Sequence, residues 1–212
     1  MVSDFSPEFL REKLNRFPLP GKKAHRKMTD RFRSRYYEPA RDVRRAGVLV
    51  LLVQDLKSPY LLLIKRASGE NNRDHHAGQI GFPGGKAEPS DRDIRHTALR
   101  EAREEVGIHP DLVHVLGELS EVYVYVSNFL VTPVVAWAEP QRFIRQEDEV
   151  AQILSFPIRR LLDPDAIHQD GVVTLASGVK LEGVPHYKLD NHVIWGATAM
   201  ILSELREVLM VP

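Results

Sequence analysis

Glu101, Glu104 and Glu105 are the residues of this 212-residue chain best placed to do chemistry together. On a helix, residues three and four apart are surface neighbours, so the three carboxylates crowd one edge. Crowded carboxylates repel one another and lose hydration, which folding stability alone would not select. A hard divalent cation removes the conflict, because oxygen ligands are what it prefers. The pattern therefore points to a metal site rather than to a solvated acidic surface. Upstream, Gly84 and Gly85 offer backbone that a ligand can approach with no side chain in the way.

A helix has to hold those glutamates. Ser90, with Asp93 three residues later, reads as its cap, and Gly107 as the left-handed residue that ends it. The predicted helix runs from about Asp91 to Val106. At about 100° per residue, Ile94, Ala98, Ala102 and Val106, with Leu99, form an apolar stripe. Arg92, His96, Arg100 and Arg103 fall opposite it. Glu101 and Glu105 sit at the margin of the stripe, and Glu104 joins them from the polar side.

Strands have to flank the glycine turn and the helix. Ala46–Val53 and Tyr60–Ile64 are apolar runs separated by a turn at Lys57-Ser58-Pro59, and they lead to the glycines. Further strands are predicted near Val113–Glu118, Glu121–Val126 and Val131–Trp137. Val122, Val124 and Val126 alternate with Tyr123 and Tyr125, a period of two. These tyrosines read as sheet packing, with substrate stacking as the alternative. Residues 171 to 187 read as a hairpin turning at Ser177-Gly178, and a last helix through Ile201, Leu202, Leu205 and Leu209 packs on the sheet. Near the start, residues 7 to 15 read as a short helix capped by Ser6 and stopped by Pro18 and Pro20.

The run from Gly85 to Ile108 resembles the Nudix box. Gly85 matches its opening glycine, and Arg100-Glu101-Ala102-Arg103-Glu104-Glu105-Val106-Gly107-Ile108 matches its closing run throughout. In the middle, Asp91 stands where the box has glutamate, and eight residues instead of seven separate it from Arg100. The resemblance implies that this middle acid pairs with the arginine, a part open to either Glu88 or Asp91. A second run, His76-Ala77-Gly78-Gln79-Ile80-Gly81-Phe82-Pro83-Gly84-Gly85 after Leu62-Leu63-Ile64-Lys65-Arg66, resembles the extra signature of the coenzyme A pyrophosphatase branch. There the longer box is usual. This chain departs in having Ala67 after Arg66, a longer stretch from Ser68 to Asp74, and Asp74 where an arginine is expected, with Arg73 beside it. His192-Val193-Ile194-Trp195-Gly196-Ala197-Thr198-Ala199 resembles the run that opens the last helix of that branch.

The resemblance implies an α+β fold, an α/β/α sandwich with a mixed, curved sheet. It implies Mg²⁺ (or Mn²⁺) held by Glu101, Glu104 and Glu105 with the Gly85 carbonyl nearby, and hydrolysis of a diphosphate linked to a nucleoside. Coenzyme A or acyl-coenzyme A is the expected substrate, giving 4′-phosphopantetheine and adenosine 3′,5′-bisphosphate; ADP-ribose or another nucleotide-linked diphosphate is the alternative. Arg100 is expected to orient Glu101. Glu149, in the acidic stretch before the apolar run Ile153–Ile158, is a candidate proton acceptor alongside the box glutamates. Arg66, Arg73, His76 and Gly84 are candidate substrate contacts, guanidinium matching phosphate in a bidentate way. A Nudix-fold binding module without catalysis is the competing class, disfavoured because all three box glutamates are kept.

Composition bounds the rest. The chain has 29 basic and 29 acidic residues, so net charge points to no polyanionic partner. Without cysteine there is no disulfide, thiolate metal site or cysteine nucleophile. His75, His76, His186 and His192 are not spaced like a zinc site. No apolar run reaches membrane-spanning length and the start lacks leader character, so a cytoplasmic protein is expected. An extension at 1–40 and a Nudix domain at 41–212 are the expected division. From Lys22 to Arg45 the chain is strongly basic, which reads as a solvated or subunit-packing segment, as a contribution to a phosphate-rich substrate, or, without a binding motif to support it, as a nucleic-acid arm. Tyr36 and Tyr37 read equally as packing or adenine stacking. Whether that segment makes a homodimer is left open.

Overall fold

A computed structural model describes residues 5–16, 18–29, 39, 41–56, 58–67, 77–174, 178 and 180–210. In chain order the elements are α1 (Pro7–Leu14), α2 (Lys22–His25), β1 (Arg44–Val53), β2 (Tyr60–Arg66), β3 (Ile80–Gly81), β4 (Gly84–Lys86) and α3 (Ile94–Val106). There follow β5 (Val113–Glu118), β6 (Val122–Val124), β7 (Phe129–Ala138), β8 (Val150–Pro157), α4 (Ile158–Leu161), β9 (Val172–Thr174), β10 (Lys180–Glu182), β11 (Tyr187–Leu189), β12 (His192–Ile194) and α5 (Gly196–Met210).

β1 is the spine. Its last five residues, Leu49 to Val53, are all buried, as expected of a strand covered on both faces. It runs parallel to β7 from Arg44 opposite Phe129 to Val53 opposite Ala138, and antiparallel to β2 and β4. With β3, β5, β6 and β8 these make one mixed eight-stranded sheet. Successive side chains on a strand point to opposite faces. Leu49, Leu51 and Val53 join Leu62, Ile64, Val134 and Ala136 under Ala98, Ala102 and Val106 of α3. Val50 and Leu52 join Leu61, Leu63, Val135 and Trp137 under Leu202, Leu205 and Leu209 of α5, with Leu10 and Leu14 of α1 on the same core. The result is the expected α/β/α sandwich with an α+β character.

Three elements differ from their sequence expectation. β6 ends at Val124, and Tyr125–Ser127 form a 3₁₀ turn closed by Asn128 at φ 50°, so the tyrosine–valine alternation stops where the chain reverses. The hairpin of β9 and β10 ends at Glu182, and Tyr187 instead opens a second hairpin, β11 with β12, that turns at Asp190 with φ 52°. Helix α3 starts at Ile94, later than predicted. The readings placed on Tyr36, Tyr37, Lys57, His75, Leu175, Ser177 and Val179 lie outside the described residues. Among the described residues, no helix is long and apolar enough to cross a membrane.

Candidate active site

The site is built where the start of α3 meets the β1–β4 pair. Gly47 of β1 lies opposite Gly85 of β4, and a Cβ at Gly47 would sit 2.6 Å from the Ile94 carbonyl oxygen. Only glycine lets α3 lie this close, and that fixes the height of its glutamates above the sheet. The cap is Asp93, whose carboxylate accepts the His96 N–H at 2.8 Å; Ser90 lies in the turn before it. Asp91, the closer acid to Ser90, is committed elsewhere, and Asp93 is the residue left in the extended conformation that a cap needs (φ −161°).

Asp91 holds Arg100. Its two oxygens meet Arg100 Nε at 3.0 Å and Nη2 at 3.1 Å, a bidentate pair, with the Asp91 side chain 2% exposed. The Thr97 hydroxyl (2.9 Å), the Glu88 N–H (2.9 Å) and the His96 ring (3.0 Å) complete its surroundings. The Arg100 guanidinium therefore holds the Asp91 carboxyl well below the usual carboxylate range, against the opposing effect of burial. This settles the choice left open between Glu88 and Asp91. Asp91 precedes the helix, so the extra residue of the box is absorbed in the lead-in to α3. Arg100 is accordingly half-buried among carboxylates, and its Nη1 reaches Glu101 at 3.0 Å and Glu104 at 3.1 Å. Thr97 and His96 carry no sequence signal for this contact beyond following the aspartate that caps α3.

Glu101 and Glu105 lie against the glycine turn. A Cβ at Gly85 would fall 2.5 Å from Glu101 Oε2, so the carboxylate fills the place a side chain would take. Glu105, 2% exposed, accepts the Gly84 N–H at 2.8 Å and has Arg66 Nη1 at 3.6 Å. Burial pushes Glu105 up to about 7; the Gly84 N–H and Arg66 pull it down, while Glu101 and Glu149 raise it. Glu101 is raised in the same way, by burial first, with the charges of Glu104 and Glu149 adding. Glu149, exposed on the loop before β8, is thus close enough for its charge to reach both.

Arg66 and Glu149 are placed by one irregularity. The β2–β8 register shifts between Lys65 and Arg66, and the Ala67 N–H then donates to the Glu149 carbonyl at 2.8 Å. Such bulges re-aim side chains. Glu104 behaves otherwise: its side chain is 58% exposed and paired with Arg100. Among the described residues no three acidic or histidine side chains converge as metal ligands. Structure thus brings together Glu101, Glu105, Gly84, Gly85, Arg66 and Arg100, with Glu149 at the rim and Glu104 turned aside. Arg73 and His76 lie outside the described residues.

The donors fit a divalent cation. They are hard oxygens, and Glu105 is a buried carboxylate with too little positive charge around it to ionise at its ordinary range. A cleft of about 680 Å³ at the opposite end of β1, beside Phe5, Trp137 and Arg159, contains none of these groups. The basic stretch from Lys22 to Arg45 is in part engaged within the chain: Lys27 pairs with Glu207 at 2.7 Å, Arg45 pairs with Glu121 at 2.9 Å, and Arg44 lies 4.1 Å over the Phe129 ring.

Residues 43–175 match the family model described as the NUDIX domain. The chain is similar to the uncharacterized Nudix hydrolase NudL of Yersinia pestis (strain Pestoides F), 35% identical over 208 residues that cover 94% of each chain. The same figures hold for NudL of Yersinia pseudotuberculosis serotype O:1b (strain IP 31758). Among solved structures, the Nudix hydrolase RenU of M. smegmatis is similar in fold, with a TM-score of 0.53 at 20% identity, covering 80% of this chain and 88% of that one.

Proposed function

The chain belongs to the Nudix family and is a pyrophosphohydrolase of nucleoside diphosphate derivatives, and we propose that its substrate is coenzyme A or an acyl-coenzyme A. The products would be 4′-phosphopantetheine and adenosine 3′,5′-bisphosphate. Family membership carries a requirement for a divalent metal, and we take Mg²⁺ as the ion, with Mn²⁺ as the substitute. Glu101 and Glu105, with the Gly85 carbonyl, would hold it, and Glu104 would join them by leaving Arg100. When bound, such an ion neutralises diphosphate charge and orients an attacking water.

The chain's own groups supply the rest of the mechanism. Arg66, beside Glu105 at the end of β2, offers a planar guanidinium to a phosphate. Arg100, fixed by Asp91, keeps Glu101 against Gly85. Glu149 accepts the proton of the water as its oxygen bonds to phosphorus and the bridging P–O bond breaks.

One observation carries the hydrolase reading: Glu105 is buried with its carboxylate on the glycine turn and short of positive charge. Support for coenzyme A comes from the meeting of the two sequence signatures of that branch, more than a hundred residues apart. The Thr198 hydroxyl at the start of α5 donates to the Ile80 carbonyl of β3 at 2.9 Å. The test is a product assay with Mg²⁺ against coenzyme A, acyl-coenzyme A, ADP-ribose, NADH and nucleotide sugars. Release of adenosine 3′,5′-bisphosphate well ahead of the other cleavages is expected. A preference for ADP-ribose would overturn the substrate and keep the hydrolase.

A further inference from the structure

Gln146 physically joins two acids of the site. Its N–H donates to the Glu105 carbonyl at the end of α3 (2.9 Å), and its own carbonyl accepts from Glu149 (3.2 Å) and Val150 (2.8 Å). Its side-chain oxygen gathers the N–H groups of Asp148 (2.6 Å) and Glu149 (3.1 Å), and its amide nitrogen donates to Asp148 Oδ2 at 3.4 Å. Side-chain oxygens that gather amides two and three residues ahead fix a turn as an N-cap fixes a helix start. We propose that Gln146 is a positioning residue that sets the place of Glu149 relative to Glu105. The inference rests on the reading of Glu149 as proton acceptor.

The choice of an amide has a reason. Positions 147 to 149 are Glu-Asp-Glu, and a carboxylate at 146 would add a fourth adjacent charge. A neutral oxygen gathers the amides without that repulsion. The loop is exposed, so water can replace the lost acceptor in a truncated variant, and stability changes little. Placement does not survive the replacement, because a water does not tie Glu149 to the chain.

The test is steady-state kinetics with Mg²⁺ on the preferred diphosphate, for Gln146→Ala, Gln146→Asn, Glu149→Gln and the double variant Gln146→Ala/Glu149→Gln. Glu149→Gln should lower kcat by about a hundredfold or more. Gln146→Ala should lower kcat by roughly ten- to a hundredfold, with KM within about twofold and thermal unfolding unmoved. Gln146→Asn, whose shorter amide gathers the same two N–H groups, should recover most of that loss. The double variant should be no slower than Glu149→Gln alone. Losses that multiply, or a rise in KM with kcat intact, would overturn the proposal. An impaired Glu149→Gln beside an unimpaired Gln146→Ala would overturn Gln146 alone. An unimpaired Glu149→Gln would overturn both this inference and the role given to Glu149.

Discussion

At the scale of single residues, the proposed metal site turns on Glu105. Its carboxylate is buried, faces Gly84, and is raised to about 7 by desolvation and by Glu101 and Glu149. Replacement by glutamine keeps the shape and the acceptor for the Gly84 N–H but removes the charge. Glu105→Gln should lower Mg²⁺-dependent kcat by about a thousandfold, while its melting temperature matches or exceeds that of the parent. Near-normal turnover would remove Glu105 from the chemistry. The pH dependence follows from the same shift. A folded value above the unfolded one means the folded chain binds the extra proton, so stability falls as pH rises. Stripped of divalent metal, the protein should lose stability between about pH 4.5 and pH 7. Added Mg²⁺ should restore it at pH 8 and do little at pH 5, as thermal melts with and without chelator would show.

Helix α3 is the element on which the site depends, and its anchor is Asp91 rather than its cap. Asp91→Asn keeps a hydrogen-bonding oxygen but leaves the guanidinium of Arg100 without its bidentate partner. The cost should be about 2–3 kcal/mol of stability, with kcat reduced because Arg100 also holds Glu101. Asp91 is held below the ordinary carboxylate range, so its contribution is present above about pH 4 and is lost as pH falls further. Denaturant melts at pH 7 and pH 3 should therefore differ for the parent and converge for the variant; equal offsets at both would refute this role. The sequence showed the helix, its apolar stripe and its stop at Gly107, because those follow from local periodicity and one αL residue. It did not show that Asp91 leaves the helix or that Glu104 turns to Arg100. Those depend on which of several nearby cations and caps each acid finds, and spacing does not rank them. Glu149 was legible only by resemblance, since the bulge that brings it in, between Lys65 and Arg66, lies on a strand more than eighty residues away.

For the whole molecule, the open matter is whether the segment before β1 is an appendage or part of the core. Leu10, Leu14 and Met28 share one buried cluster with Leu202 and Leu205 of α5. A polar lock accompanies them. Glu204, wholly buried on α5, meets His25 Nε2 at 2.8 Å and accepts from the Gly21 N–H at 3.0 Å and the Ser120 hydroxyl at 2.7 Å. Burial alone would raise Glu204; His25 and Ser120 outweigh it and hold the carboxyl below its ordinary range. A buried ion so satisfied is costly to break, because removing one partner strands the other. His25→Ala should cost about 3 kcal/mol and lower the melting temperature by roughly 6–12 °C for a chain of this size. Unfolding should remain a single transition. Diphosphate hydrolysis below that transition should be unchanged, since Glu204 lies on the sheet face opposite Glu105. If the segment were an appendage, the variant would show an early, minor transition and an unmoved main one. Calorimetry on His25→Ala therefore distinguishes a division near residue 40 from a single cooperative unit, and the cluster that Leu10, Leu14 and Met28 share with α5 favours the single unit.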